Sequence, residues 1–306
     1  MRRDSSKMSK DNVKKNNKFS RAKVGRFTRN SLVHILLGVL SVIWLFPIFW
    51  VIMTSFRVEN NGTGSYTRYF FPKELGFDNY VKLFTETELL NFPQMFMNTL
   101  IIAIFSCVIS TFFVLSVAYC MSRLRFKLRK PFMNLAMILG LFPGFMSMIA
   151  IYYILKSIGL TEGSMIRVAM VLVYAGGSGM GFYVAKGFFD TIPKSLDEAA
   201  LIDGATKWQV FTRVTMPLSK PIIVYTVLSS FMGPWVDFIF AKVICRTQKE
   251  YYTVSIGLWN MLEKEYVHQF FTRFAAGAVC VSIPIAIVFL LMQGCYKEGM
   301  SGAVKG

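Results

Sequence analysis

Long charge-free stretches alternate with short polar segments along the 306-residue chain. Six such stretches run over residues 32–56, 89–122, 131–155, 168–185, 221–236 and 274–296. A bilayer core about 30 Å thick needs about 20 apolar helical residues, so four stretches are long enough to cross it and two are slightly short. Charged residues at the ends of the short stretches can reach the lipid interface. The pattern predicts an all-α membrane protein with six transmembrane helices.

Basic residues mark one side of these predicted spans. Eleven Lys or Arg precede residue 32, and five more lie between residues 123 and 130. Cytoplasmic segments carry an excess of Lys and Arg, so both regions are predicted to be cytoplasmic, as are both termini of a six-span chain. The predicted domains are a basic cytoplasmic tail (1–31), a six-span domain (32–296) with an outer loop (57–96) and a cytoplasmic segment (190–220), and a cytoplasmic C-terminal tail (297–306).

Composition supports this interpretation. Hydrophobic residues make up 54% of the chain, above the roughly 45–50% of soluble domains. The net charge of +17 is compatible with nucleic-acid binding, but much of it lies in the flanking segments, where anionic lipid and topology account for it. We therefore expect membrane lipid as a partner and no nucleic acid.

The polar segment between the fourth and fifth stretches contains start and stop signals for two short helices. Ser195 and Glu198 have the spacing of a capping box, and Gly204 supplies the left-handed conformation that ends a helix. Thr206 and Gln209 repeat the capping pattern, and a proline at 217 is expected to stop the second helix. The segment predicts a cytoplasmic helix-turn-helix, stabilised by packing against its own membrane domain and another protein.

The same segment resembles the cytoplasmic loop of permeases in ATP-binding-cassette importers. That loop reads Glu-Ala-Ala, three residues, Gly, and an apolar run closed by Pro. The matching residues here are Glu198, Ala199, Ala200, Asp203, Gly204 and Pro217. Further similarity lies at Phe56-Arg57, Asn98-Thr-Leu, Trp235-Val-Asp-Phe238 and residues 302–306. The chain is similar to carbohydrate-importer permeases of the maltose type, which are binding-protein-dependent inner-membrane components.

The resemblance implies a multi-pass subunit in a bacterial or archaeal plasma (inner) membrane. Its implied partners are a second homologous permease, two ATP-binding-cassette ATPase subunits, an extracytoplasmic solute-binding protein and a sugar. An oligosaccharide of the maltodextrin kind is the best guess within the family, and a permease for another solute is the alternative. The resemblance also implies that the six motif residues couple this chain to an ATPase subunit, whereas helix capping alone is the simpler explanation.

No nucleotide site is apparent in the chain. The phosphate-binding pattern Gly-x-x-x-x-Gly-Lys-Ser/Thr is missing, as is the dipeptide Gly-Lys. We therefore expect no cofactor on this chain, with ATP and Mg bound by partner subunits, and a transport subunit that is not an enzyme. The rival classes are a secondary transporter or channel, which would need an internal repeat or paired intramembrane charges, and a membrane scaffold without transport activity.

The fifth stretch ends in two candidate pathway residues, Trp235 and Asp237. An ionisable residue within a span suggests a functional site. Trp235 is equally typical of an interfacial aromatic belt, and Asp237 could pair with the nearby Lys242. Both interpretations are left open by the sequence.

Overall fold

The computed structural model describes residues 31–58, 70–88, 90–141, 144–177, 181–303. Most of the predicted N-terminal tail, the middle of the predicted outer loop and the last three residues lie outside this part of the chain. Residues 1–53 and 54–306 form two separate units. All the packing discussed below lies within the second unit.

The described residues are predominantly helical, as predicted. The helices are α1 (Ser31–Ser55), α2 (Asp78–Thr85), α3 (Phe92–Arg123), α4 (Arg129–Gly140), α5 (Gly144–Ser157), α6 (Met165–Gly177), α7 (Gly181–Thr191), α8 (Lys194–Ile202), α9 (Lys207–Gln209), α10 (Met216–Leu218), α11 (Lys220–Val236), α12 (Ile239–Cys245), α13 (Val254–Met261) and α14 (Val267–Ala303). A π-helical turn, Val210–Thr215, joins α9 to α10. An isolated β-bridge pairs Arg57 with Leu75.

The helices suited to crossing a membrane are fewer than six when counted by length and composition. Among the described residues α1, α3 and α14 are long and apolar enough, and two bent helix pairs raise the number to five. The predicted third span corresponds to two helices, α4 and α5, and Pro143 in the sequence between them cannot continue a hydrogen-bonded helix. The membrane-spanning, all-helical class is confirmed, whereas six spans and cytoplasmic termini stay predictions.

Helix α3 is the central element of the second unit. Its N-terminus is capped by Asn91, whose side chain accepts from the Gln94 backbone N–H, and Pro93 lies in the first turn, where it is tolerated. It packs against α6, α7 and α11. Small buried residues on α3 that allow these helices to approach closely include Ala103, Ser106, Ser110 and Ala118.

Three apolar clusters hold these helices together. One joins α3 to α6 and α12, a second joins α3 to α7 and the π-helical turn, and a third joins α3 to α11, α13 and α14. Since α3 contributes to all three, the position of its two ends determines where the polar segments of the chain are held.

Candidate coupling site and transport pathway

The first helix of the predicted helix-turn-helix is α8, and it begins two residues earlier than its capping pattern suggests. Its N-cap is Pro193, without a side-chain hydrogen bond. The predicted capping box of Ser195 and Glu198 is therefore wrong, because Ser195 already lies within the first helical turn, where its side chain cannot act as the N-cap. Glu198 is instead exposed on the helix surface.

The turn after α8 has the predicted chemistry. Gly204 has φ = 85°, the left-handed conformation that only glycine adopts without strain, and the Ala205 N–H donates to the Ala200 carbonyl at 2.9 Å. The second capping box is confirmed: Thr206 Oγ1 accepts from the Gln209 N–H at 3.2 Å, and Gln209 Oε1 accepts from the Thr206 N–H at 2.7 Å. Both hydrogen-bonding groups are local in sequence, so they set the turn independently of the membrane domain.

The prediction that the second helix stops before Pro217 is wrong. The helix passes through the π-helical turn Val210–Thr215 into α10, where Pro217 lies in the first turn. The Met216 N–H donates to the Phe211 carbonyl five residues earlier, so the chain takes a wider π-helical turn just before Pro217, whose ring would clash with a carbonyl in a regular α-helix. The sharp change of direction comes at Ser219, where Lys207–Leu218 and α11 meet at 84°.

One side chain anchors this second helix to the membrane domain. Phe211 is 8% exposed and packs against Tyr119 of α3, with ring centroids 4.7 Å apart. Trp208, one turn earlier, packs on Phe211 at 5.6 Å but is 64% exposed. The helix thus has one side packed against the bundle and another side exposed.

The predicted coupling residues lie at the surface of the helix-turn-helix. Glu198, Ala199, Asp203, Gly204 and Pro217 are exposed, and Ala200 is half-buried. Beside them, Ile202 is 85% exposed. A depression of about 400 Å³ follows the turn; its lining residues are Ala200, Asp203, Gly204, Ala205, Gln209, Arg213 and Val214. An apolar tip next to a concave turn is suited to binding another protein.

The two predicted pathway residues have different surroundings. Trp235 is 2% exposed and packs between Phe96 and Phe231. Asp237 accepts from Tyr174 Oη at 3.0 Å and from the Phe240 N–H at 3.1 Å. Asp237 thus binds Tyr174, not Lys242, which lies over the Tyr252 ring.

A cavity of about 280 Å³ lies next to Tyr174, between α3, α6, α7 and α11. Its lining residues are Val114, Tyr174, Gly181, Tyr225, Thr226, Ser229, Ser230 and Gly233. Tyr225 and Ser229 are exposed and lie four residues apart, so they share one face of α11. The sequence analysis missed this face, although hydroxyl groups at helical spacing within a charge-free stretch would have pointed to it.

Residues 115–297, more than half of the chain, match the family described as the binding-protein-dependent transport system inner membrane component. The chain belongs to this family and is therefore a membrane-integral permease component of such a transport system.

Curated relatives are similar along nearly the whole chain. The galactooligosaccharides transport system permease protein GanQ of Bacillus subtilis (strain 168) is 35% identical, over 93% of this chain and 98% of its own length. The maltodextrin transport system permease protein MalD of Streptococcus pneumoniae (strain ATCC BAA-255 / R6) is 31% identical over the same shares. The maltose/maltodextrin transport system permease protein MalG of Escherichia coli (strain K12) is 30% identical over 90% and 95%.

Solved structures share the fold. One chain of a bacterial ABC transporter involved in the import of the acidic polysaccharide alginate matches with a TM-score of 0.68 at 23% identity, over 86% of this chain and 94% of that chain. A chain of a bacterial alginate ABC transporter in complex with an alginate pentasaccharide-bound periplasmic protein matches with a TM-score of 0.61 at 19% identity, over 87% and 93%.

Proposed function

We propose that this chain is one of two permease subunits of an ATP-driven sugar importer. Two separate ATPase subunits bind and hydrolyse ATP with Mg, and an extracytoplasmic solute-binding protein delivers the sugar. The substrate class is an oligosaccharide, in keeping with the galactooligosaccharide and maltodextrin names of the relatives. The subunit spans a bacterial or archaeal plasma membrane and itself catalyses no reaction.

The observation that carries this proposal is the exposed helix-turn-helix, α8 to α10. Its Glu198, Asp203 and Gly204 are exposed, whereas Phe211 packs the same segment against α3. A segment anchored on one face and exposed on the other can transmit a push from a partner into the spans. Closure of the ATPase subunits on ATP would move α8 and shift the spans between inward-open and outward-open arrangements.

The cavity beside α11 is the part of the transport pathway that we propose for this chain. Tyr225 and Ser229 supply exposed hydroxyl groups, which can donate to and accept from sugar hydroxyls. Tyr225 also offers an aromatic face of the kind that packs against the apolar side of a sugar ring. Asp237 holds Tyr174, one wall of the cavity, in position, so the predicted pathway role of Asp237 becomes one of support.

The test is uptake into cells that depend on this chain, with labelled maltotriose and labelled galactotriose as separate probes. ATP-dependent uptake of either trisaccharide supports the proposal and identifies the sugar series. Ser229→Leu should reduce uptake and raise the half-saturating concentration, whereas Ile239→Leu, an exposed apolar exchange on the neighbouring helix, should leave uptake unchanged.

Three outcomes would separate the alternatives. Uptake of a non-sugar solute alone would identify a permease for another solute. Uptake driven by an ion gradient without ATP would indicate a secondary transporter or channel. Purification of the tagged chain without any ATPase, from membranes that support uptake, would contradict the proposed assembly.

A further inference from the structure

The last residue of α3 joins three elements at the end of the bundle that carries the helix-turn-helix. Arg123 Nη2 donates to the carbonyls of Phe189, at 3.0 Å, and Ile192, at 2.9 Å, near the end of α7. Its Nε lies 3.1 Å from Oδ2 of Asp197 in α8. The two charged side chains are only 5% and 13% exposed. One guanidinium thus ties the central helix both to α7 and to the proposed coupling helix.

Stability alone does not explain this ion pair. Removing two charges from water costs about as much as their attraction returns, so apolar side chains of similar volume would hold α8 as firmly. Arg123 Nε and Nη1 and Asp197 Oδ1 are also buried without a hydrogen-bond partner among the described residues, so the contact between the two side chains is an ion pair without hydrogen-bond geometry. What the pair supplies is a single defined position of α8 relative to the end of α3.

The opposite end of α3 is held in a similar way. Asn98 is 1% exposed, and its Nδ2 donates to the carbonyls of Glu250, at 2.8 Å, and Tyr252, at 3.1 Å. Its Oδ1 accepts from Arg167 Nε of α6 at 3.0 Å. Tyr252 in turn donates from its phenol to the Arg246 carbonyl at 2.8 Å, and burial raises the pKa of that phenol, which keeps it protonated as a donor. Polar contacts therefore tie segment 246–252 to this end of α3.

Between these two attachments α3 is a continuous rod. It contains no glycine, and its one proline, Pro93, lies in the first turn. At 1.5 Å per residue, Asn98 and Arg123 are about 38 Å apart along the helix, which is more than the thickness of a bilayer core. A displacement of one end is passed to the other end without an intervening joint.

We propose that α3 is the strut that transmits movement of the coupling helix across the membrane to segment 246–252, and that Arg123 and Asp197 are the positioning residues at which α8 acts on it. The inference rests on the proposed function, because it takes α8 as the element that an ATPase subunit moves. Neither residue touches substrate or nucleotide; each acts by holding α8 against α3.

The experiment reports on the far end of the strut. Glu250→Cys places a thiol at an exposed position whose backbone carbonyl Asn98 binds. The affinity-purified complex from native membranes, reconstituted in liposomes, is labelled with a membrane-impermeant maleimide, first without nucleotide and then after trapping with ATP, Mg²⁺ and vanadate. Parent chain without the new cysteine gives the background.

If α3 is the strut, the rate of maleimide labelling at position 250 in the Glu250→Cys chain should change when the complex is trapped with ATP, Mg²⁺ and vanadate. The following substitutions are made in that chain. Arg123→Gln and Asp197→Asn should each remove that change, and the double variant should show no further loss, since both residues act in one contact. Lys186→Gln is the matched control. This substitution removes a charge that pairs with Asp190 at 2.5 Å, near the same end of the bundle. The pair lies within α7 and not between α3 and α8, so the nucleotide-dependent change should persist.

Co-purified ATPase separates a folding defect from a loss of transmission. Should Arg123→Gln fail to assemble, Asp197→Asn decides alone, because Arg123 keeps its bonds to the α7 carbonyls in that variant. The strut proposal would be overturned if both assembled variants kept the full nucleotide-dependent change in labelling rate. It would also be overturned if the Glu250→Cys complex hydrolysed ATP but showed no change in labelling rate at position 250. Absence of any co-purifying ATPase would instead contradict the proposed function itself.

Discussion

The neighbouring helices α3 and the α6–α7 pair differ in continuity. Helix α3 runs unbroken over 32 residues, from Phe92 to Arg123. The neighbouring pair changes direction by 41° between Met165–Gly177 and Gly181–Thr191, where the sequence reads Gly-Gly-Ser-Gly-Met-Gly from residue 176. A glycine-rich sequence favours close helix packing or a kink, and the two described helices on either side of it are inclined to each other.

The difference lies in what each span can pass on. A continuous helix with polar attachments at both ends moves as one piece, whereas a span interrupted by glycines can change its angle at the break. The cavity beside α11 touches both, through Val114 of α3 and Tyr174 and Gly181 of the pair. We infer that α3 carries displacement and that the α6–α7 break accommodates it next to the proposed pathway.

The largest expected effect comes from breaking the rod. Ala118→Pro removes an internal hydrogen bond and places the ring against the preceding turn of α3 at a fully buried position, a cost of at least about 3 kcal/mol. We expect loss of the assembled complex, measured as monodisperse protein by fluorescence-detected size-exclusion chromatography. Ala118→Gly, at about 1 kcal/mol, should still assemble. Normal uptake by the proline variant would show that α3 need not be continuous.

The next effect concerns the attachment of the helix-turn-helix to the rod. Phe211→Ala removes the ring that packs on Tyr119, at about 3 kcal/mol for a buried phenylalanine, and should lower the midpoint of thermal unfolding of the purified complex. Trp208→Ala, on the exposed side, should cost less than about 1 kcal/mol while weakening retention of the ATPase. If the two variants lowered the unfolding midpoint equally and weakened ATPase retention equally, the distinction between an anchored and an exposed face of the helix would be contradicted.

The turn residue Gly204 separates docking from simple capping. At φ = 85°, a valine costs about 1–2 kcal/mol, whereas asparagine tolerates this conformation. Space around the position is open within this chain, since an added Cβ meets nothing within 4 Å. If a partner approaches the turn closely, Gly204→Asn and Gly204→Val should both lose uptake while ATP hydrolysis continues. Loss in the valine variant alone would favour capping.

The smallest effect in stability tests the break in the α6–α7 pair. Gly176→Ala and Gly177→Ala meet no steric obstacle and should stabilise the helix by about 0.4–1 kcal/mol each. Uptake should nevertheless fall, because a stiffer helix end limits the change of angle. A higher unfolding midpoint with unchanged uptake would show that no movement occurs there.

Local signals in the sequence were sufficient for much of the helix-turn-helix. The left-handed glycine at 204 and the Thr206–Gln209 capping box depend on residues within three positions of each other, and both were predicted correctly. The start of α8 was missed by two residues, because Pro193 and not Ser195 occupies the cap position. Local reasoning also could not foresee the π-helical turn that lets the chain continue through Pro217.

Contacts between distant residues were beyond the sequence. Arg123 lies in a basic cluster that topology already explained, so nothing singled out its pairing with Asp197. The residues that flank Trp235 in the sequence are compatible with either an interfacial aromatic belt or a buried core position. Trp235 is buried because α3 packs against α11. Such contacts depend on how helices align, which periodicity and composition do not specify.

The most direct test of the account is to identify what touches the exposed turn. A photo-crosslinking amino acid at position 199, where the side chain is exposed on α8, is activated in native membranes and the adduct is identified by mass spectrometry. The account predicts an adduct with a Walker-motif ATPase subunit, and none at position 211, where the side chain is buried. An adduct only with this chain or with lipid would contradict the coupling role of the helix-turn-helix.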